Sequence, residues 1–221
     1  MGTALTDMFV NTGGFFKGTP SLNATYYISR SLLYPDEIED YITFSSSEPF
    51  TLESFYEPIF SKQKFWSGIL LYSTDANVWN EWDGSVIESK EHNGNHKIYM
   101  CGKKNGYITG EGTVTWLLSY FRIHGFKLIG NNIRCDGNIE SLLEYGMIAD
   151  GLHPTALNGC FEALFWGNTG LISTPKLSLK SIPQNCYAHM FYDCVDLNEL
   201  PELPAINISE SAYEGMFYRC S

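Results

Sequence analysis

Leu197-Asn198-Glu199-Leu200-Pro201-Glu202-Leu203-Pro204, and further along Tyr213-Glu214-Gly215-Met216-Phe217-Tyr218-Arg219-Cys220, decide how the last third of this sequence is read. Moved back by 26 residues, the stretch falls without a gap on Leu171 to Asp196. Leu171 meets Leu197, Pro175 meets Pro201, Leu177 meets Leu203 and Ile182 meets Ile208. Tyr187, Met190, Phe191, Tyr192 and Cys194 then meet Tyr213, Met216, Phe217, Tyr218 and Cys220. One period upstream, Phe161, Leu164 and Phe165 take the Tyr, Met and Phe positions, Asn168 the Cys position and Tyr145 the leading Leu position. Self-similarity at a fixed period of this size marks a solenoid, in which a single coil cannot bury its own apolar edge and leans on its neighbours.

Each repeat reads as one coil. Leu197 to Pro204 is too rich in proline for a helix and suits a short extended rung. Tyr213 to Cys220 places apolar groups at i, i+3, i+4 and i+7, which predicts one face of a short helix. The solenoid core is therefore expected to hold Leu171, Leu177, Ile182, Met190, Phe191, Cys194, Leu197, Leu203, Ile208, Met216, Phe217 and Cys220. Trp166, Tyr192 and Tyr218 share one repeat position and are expected to line a contact surface or to pack between coils. Cys160 and Cys186, like Cys194 and Cys220, stand one period apart, which predicts columns of buried thiols rather than disulfides. No Cys-x-x-Cys pair is present to seat zinc.

Upstream, residues 49–143 read as an antiparallel β-sandwich. Ser67 to Ser73, His96 to Cys101 and Gly125 to Ile129 are short apolar or alternating runs. Asp83-Gly84, Asn93-Gly94, Asn105-Gly106 and Asp136-Gly137 supply turn signals between or beside them. Residues 1–48 are expected to be an N-terminal arm, with a docking segment and an extra strand pair both open as readings. The whole is expected to be mainly β with short helices: an arm at 1–48, a sandwich at 49–143 and a solenoid at 144–221.

The repeat Cys194-x-x-Leu197-x-x-Leu200-x-x-Leu203-Pro204, followed by Tyr213-x-x-Met216-Phe217-x-x-Cys220, resembles the Treponema-type, BspA-like leucine-rich repeats. Its Met-Phe-Tyr-x-Cys and Leu-Pro-Glu-Leu-Pro-Ala dialect is similar to repeats of gut-bacterial surface proteins and phage structural proteins. Leu71-Tyr72-Ser73-Thr74-Asp75 with Trp79 and Trp82, and the joint from Gly130 to Leu143, resemble the immunoglobulin-like module that precedes such repeats. The resemblance implies a non-enzymatic structural or attachment protein on a virion surface, with a bacterial cell-surface adhesin as the alternative. It also implies docking on other virion proteins through the N-terminal segment, contact with a host-surface glycan or protein, and a homo-oligomer. No capping element follows Cys220.

Charge and motifs narrow the classes. With 25 acidic against 14 basic residues the formal charge is -11, which repels a polyanion and argues against nucleic acid and anionic membrane. No run reaches the roughly 18 apolar residues of a membrane span, and the start, Met1 to Asp7, carries no positive charge for a secretion signal. Glu37, Glu39 and Asp40 beside Pro35 read as a solvated turn or helix start rather than a cation site or acid–base cluster. His92 and His96 flank Asn93-Gly94-Asn95 and read as a hairpin tip; His189 reads as solenoid surface opposite Gly215. Gly110-Glu111-Gly112 lacks the rest of a phosphate loop. Trp79, Trp82, Trp116 and Trp166 are the candidates for sugar stacking. No catalytic residue, cofactor or metal ligand is nominated.

Overall fold

The computed structural model describes residues 25–27, 41–57, 65–110, 115–117 and 120–221. Most of the expected docking segment, its acidic centre Glu37 to Asp40, and Glu111-Gly112 lie outside these residues. The fold is mainly β, with antiparallel sheets and one short helix among the described residues. The strands are β1 (Thr25–Tyr27), β2 (Ile42–Ser46), β3 (Thr51–Glu57), β4 (Ile69–Ser73), β5 (Val78–Glu81), β6 (Ile87–Glu88), β7 (Lys90–His92), β8 (Asn95–Lys103), β9 (Thr115–Leu117), β10 (Tyr120–Ile129), β11 (Arg134–Asp136), β12 (Ser181–Ile182) and β13 (Asn207–Ile208). The helix α1 spans Ser141–Ala149.

One sheet runs β1-β5-β4-β8-β2-β11, with β7 also on β8; a second runs β6-β3-β10-β9; and β12 pairs in parallel with β13. Residue alternation in the first sheet sends side chains to two separate interiors. Ile42 and Phe44 of β2, Leu70 of β4, and Ile98 and Met100 of β8 join Leu52, Phe126 and Leu128 of the second sheet in the main core. Leu71, Tyr99 and Cys101, with Tyr41 and Trp79, form a smaller core on the opposite side that includes Tyr145 of α1. The rings of Tyr41 and Tyr145 stack at 4.2 Å. The backbone of α1 comes so close to β8 that a Cβ on Gly102 would overlap the Leu142 carbonyl, so only glycine fits there. The expected turn at Asn93-Gly94 joins β7 to β8 with φ of 53° and 80°, the paired left-handed residues of a type I′ hairpin.

The expected boundary at residue 48 falls inside this arrangement. Ile42–Ser46 lies between β8 and β11, paired to both, and β1 pairs with β5. Residues of the expected arm thus belong to the sheet, and Ile42 and Phe44 supply part of its core.

From residue 159 onward the chain forms turns in place of the expected helices. The N–H groups of Glu162, Leu164, Trp166 and Asn168 donate to the carbonyls three residues back, in overlapping β-turns. The alternate groups, Phe161, Ala163, Phe165 and Gly167, donate across to Cys186, Ala188, Met190 and Tyr192 at 2.8–2.9 Å. The next level repeats the scheme, with Tyr187, His189, Phe191 and Asp193 donating to Ala212, Glu214, Met216 and Tyr218. Every fourth residue is left-handed: Gly159, Ala163 and Gly167; Asn185, His189 and Asp193; Ser211, Gly215 and Arg219. Over two turns a period of four gives the same i, i+3, i+4, i+7 pattern as a helix of 3.6, which is why the apolar spacing predicted the wrong element.

Equivalent side chains then lie over one another. Phe165 stacks on Phe191 at 5.5 Å and Phe191 on Phe217 at 5.6 Å; Phe161, Tyr187 and Tyr213 form a second file. Phe165 also meets Phe44 and Phe126 edge-on, so one core runs from the sheets into the turns. Asn168 joins the two: Nδ2 donates to the carbonyls of Phe126 and Phe165, and Oδ1 accepts from Leu128 N–H. At the equivalent position the thiols of Cys194 and Cys220 donate to Phe165 and Phe191 carbonyls at 3.1 Å. Burial pushes the Cys194 thiol up to about 12. All six cysteines are free thiols.

Of the residues expected in the solenoid core, Leu171, Leu177, Ile182, Met190, Phe191, Cys194, Leu197 and Met216 are at most 3% exposed. Phe217 and Cys220 are half-buried. Leu203 and Ile208 depart from expectation, at 48% and 60% exposed, because no described residues cover the level to which they belong; their counterparts Leu177 and Ile182 are covered by it. Phe191→Ala is therefore expected to cost about 3–5 kcal/mol of unfolding free energy and Leu203→Ala well under half of that. Urea titration of the two variants compares them directly, and equal losses would mean the levels do not stack as described.

Candidate functional site

The repeat position of Trp166, Tyr192 and Tyr218 comes just before the left-handed Gly167, Asp193 and Arg219 in each turn series. The backbone bonds between levels hold this position in register. Trp166 and Tyr192 stack at 3.9 Å and Tyr192 and Tyr218 at 4.9 Å, while the His189 ring tilts against Trp166 at 5.7 Å. Burial lowers the His189 pKa, opposed by the nearby Glu214. A Cβ on Gly215, itself at φ +59°, would lie 2.8 Å from the His189 ring, so a side chain there would displace this imidazole. Beside the column Arg219 Nε meets Asp193 Oδ1 at 2.9 Å.

Stacking decides what such a row offers. Rings a few ångströms apart spend their faces on one another and show solvent their edges. Tyr218, 58% exposed, is the member of the row with open area. Of the other candidates for sugar stacking, Trp79 and Trp82 are buried in the sheets, Trp82 stacked on Trp66, and the side chain of Trp116 lies outside the described residues. The row is foremost a packing ladder.

A second constellation has no counterpart among the expected sites. Glu140 precedes α1 and its side chain is fully buried; His153 follows the helix and is half exposed. Glu140 Oε2 and His153 Nδ1 are 2.8 Å apart, and Glu140 Oε1 has no hydrogen-bond partner among the described residues. A straight helix of nine residues would carry its ends about 13 Å apart. Here Glu144, at φ -153° and ψ 93°, breaks the helical path, and the chain returns His153 to Glu140. Nothing in residue spacing announces this pair, because the kink that makes it has no sequence signature.

Burial pushes the Glu140 carboxyl above its ordinary range, partly offset by the hydrogen bond and charge of His153 and by Lys180. The imidazole opens onto a groove of about 530 Å³ between the chain after α1 and the β12–β13 pair, whose lining includes Lys180, Ser181, Ile182 and Ser209. His92 and His96 sit on the β7–β8 hairpin, as expected. Among the described residues no group of three or more His, Cys, Asp or Glu converges to hold a metal ion, and no helix is long and apolar enough to cross a membrane.

Because the folded Glu140 carboxyl binds its proton more tightly than the unfolded one, the stability tied to it is present at low pH. It is lost as pH rises from about the ordinary 4.5 through the raised folded value. The urea midpoint of the native protein is expected to fall across this range, and that of Glu140→Gln to stay flatter. Parallel slopes for the two proteins would clear Glu140 of the effect. No protein-family model matches this chain, and no curated protein or solved structure aligns with it significantly.

Proposed function

We propose that this chain is a non-enzymatic structural or attachment protein of a bacteriophage virion, an immunoglobulin-like sandwich followed by a short leucine-rich-repeat solenoid. The observation that carries the reading is the 26-residue register of the turn levels, in which Ser181 and Ile182 pair with Asn207 and Ile208 and Phe191 lies between Phe165 and Phe217. Stacked levels make a stiff body whose side chains repeat along its surface, an arrangement suited to contact rather than to turnover. Two continuous sheets ahead of the turns serve as a spacer, and residues 1–48 contribute docking on other virion proteins as well as strand β2. The repeat dialect, which resembles that of phage structural proteins and gut-bacterial surface proteins, supports the virion, and assembly as a homo-oligomer is inferred from the same resemblance.

The alternative is an adhesin on a bacterial surface, for which the same stiff display serves. Mass spectrometry and immunogold labelling of purified particles separate the two. The chain is expected at a fixed copy number per particle with label on the outside. Its absence from particles, with recovery in the cell-envelope fraction, would move it to the adhesin class.

A further inference from the structure

The groove beside the Glu140–His153 pair has the makings of an oxyanion site. Its polar lining is made of donors: Lys180 is exposed and forms no salt bridge among the described residues, and Ser181 Oγ accepts from Asn207 Nδ2, which leaves its own hydroxyl hydrogen to give. Ser209 adds a second hydroxyl. No carboxylate lines this groove, in a chain of net charge -11. On the far side of Lys180 a neighbouring groove carries two carboxylates, Glu202 and Glu199, the latter held by Arg134 through two hydrogen bonds of 2.7 Å.

Proton placement on the pair decides what His153 presents. A fully buried carboxyl with one partner is held best when it shares a proton with that partner. A neutral ring with hydrogen on Nδ1 alone would leave a net negative charge on the fully buried Glu140, which burial disfavours; with the shared proton on Nδ1 the ring is therefore an imidazolium and Nε2 also carries hydrogen. If it sits on Glu140, the neutral ring must keep its one hydrogen on Nε2. Either way Nε2–H is a donor, held in place from behind by a carboxyl that water does not reach, and Nε2 has no partner among the described residues. The pair is then neutral overall, and Lys180 supplies the net positive charge.

We propose that this groove binds the carboxylate of an acidic saccharide, through His153 Nε2–H and Lys180 Nζ, with Ser181 and Ser209 meeting sugar hydroxyls. The saccharide as bearer rests on the attachment reading above, and the anion site does not. Pro154, Pro183 and Ile182 give the groove apolar walls for a ring's C–H face, and its volume fits one to two sugar units better than an extended acidic peptide.

The full chain is titrated calorimetrically with trigalacturonate, with its methyl-esterified form, and with a tri-glutamate peptide. Lys180→Gln and His153→Gln are measured alongside, their folding checked by thermal melts; the exposed Lys180 keeps the test valid should His153→Gln melt early. The acid form is expected to bind, the ester to bind at least about tenfold more weakly, and each variant to lose about tenfold. Equal binding of acid and ester, or no effect of Lys180→Gln, overturns the proposal. Equal binding of the peptide overturns the saccharide. Retention on host-surface extract, assayed with the same variants, separates the two ideas: retention that ignores both substitutions sinks the groove and leaves attachment standing, whereas no retention by the native protein sinks attachment.

Discussion

The alternation of turn bonds and level-to-level bonds is the constraint on which the C-terminal part of this protein depends. A chain that reverses every few residues leaves half its N–H groups pointing along the stack, and a buried amide without an acceptor costs about as much as a lost hydrogen bond. Each level satisfies its own odd groups only by borrowing carbonyls from the next, as Phe161, Ala163, Phe165 and Gly167 do from Cys186 to Tyr192. The arrangement also requires a left-handed residue at every fourth place. Ala163, His189 and Arg219 accept that conformation at about 1–2 kcal/mol each, which is tolerable only because bonds on both sides fix the backbone there.

The same constraint ties the turns to the sheets. The first level has no earlier level of its own kind, and β10 takes that role: Phe126 N–H donates to the Leu164 carbonyl, and Leu128 N–H to Asn168. An asparagine offers both a donor and an acceptor at this seam, where later levels, needing only a donor toward a carbonyl, make do with cysteine. The substitution of Asn by Cys along one repeat position is thus explained by what lies beneath it. Sheets and turns share one apolar interior for this reason.

What was legible in the sequence was periodicity. The 26-residue offset located Met190 over Met216 and Cys194 over Cys220 before any backbone was known, and the alternating runs located β4, β8 and the end of β10. The turns were not legible from apolar spacing, since four and 3.6 coincide over so short a stretch. Gly159, Gly167, Asn185, Asp193 and Gly215, residues tolerant of positive φ at steps of four, were the signal available. Leu203 and Ile208 were misplaced because repeat equivalence says which residues correspond, not whether something lies on top of them. For Ile42–Ser46 the sequence leaves a docking arm and an extra strand both open, because its partners, β8 and β11, lie some fifty and ninety residues away along the chain. The Glu140–His153 pair is not legible for a related reason: between its members lie an irregular Glu144 and the turn through Gly151 that follows α1, and their combined effect on spacing has no repeat to reveal it.

These features bear on where side chains keep open polar groups. A repeat protein's most obvious surface is its row of equivalent aromatics, and here Trp166, Tyr192 and Tyr218 form one. Yet the closer such rings stack, the less of each face remains for a ligand, and a separation of 3.9 Å between Trp166 and Tyr192 leaves no room for a sugar between them. The column buries area and stiffens the stack. Polar side chains instead gather beside α1, where His153 follows the helix and Lys180 and Ser181 lie across the groove from it. His153 and Lys180 stand there, facing the groove and backed by a carboxyl that packing has sealed from water. Regularity supplies the stack, and His153 and Lys180, beside its junction with α1, keep polar groups that the level-to-level bonds do not use.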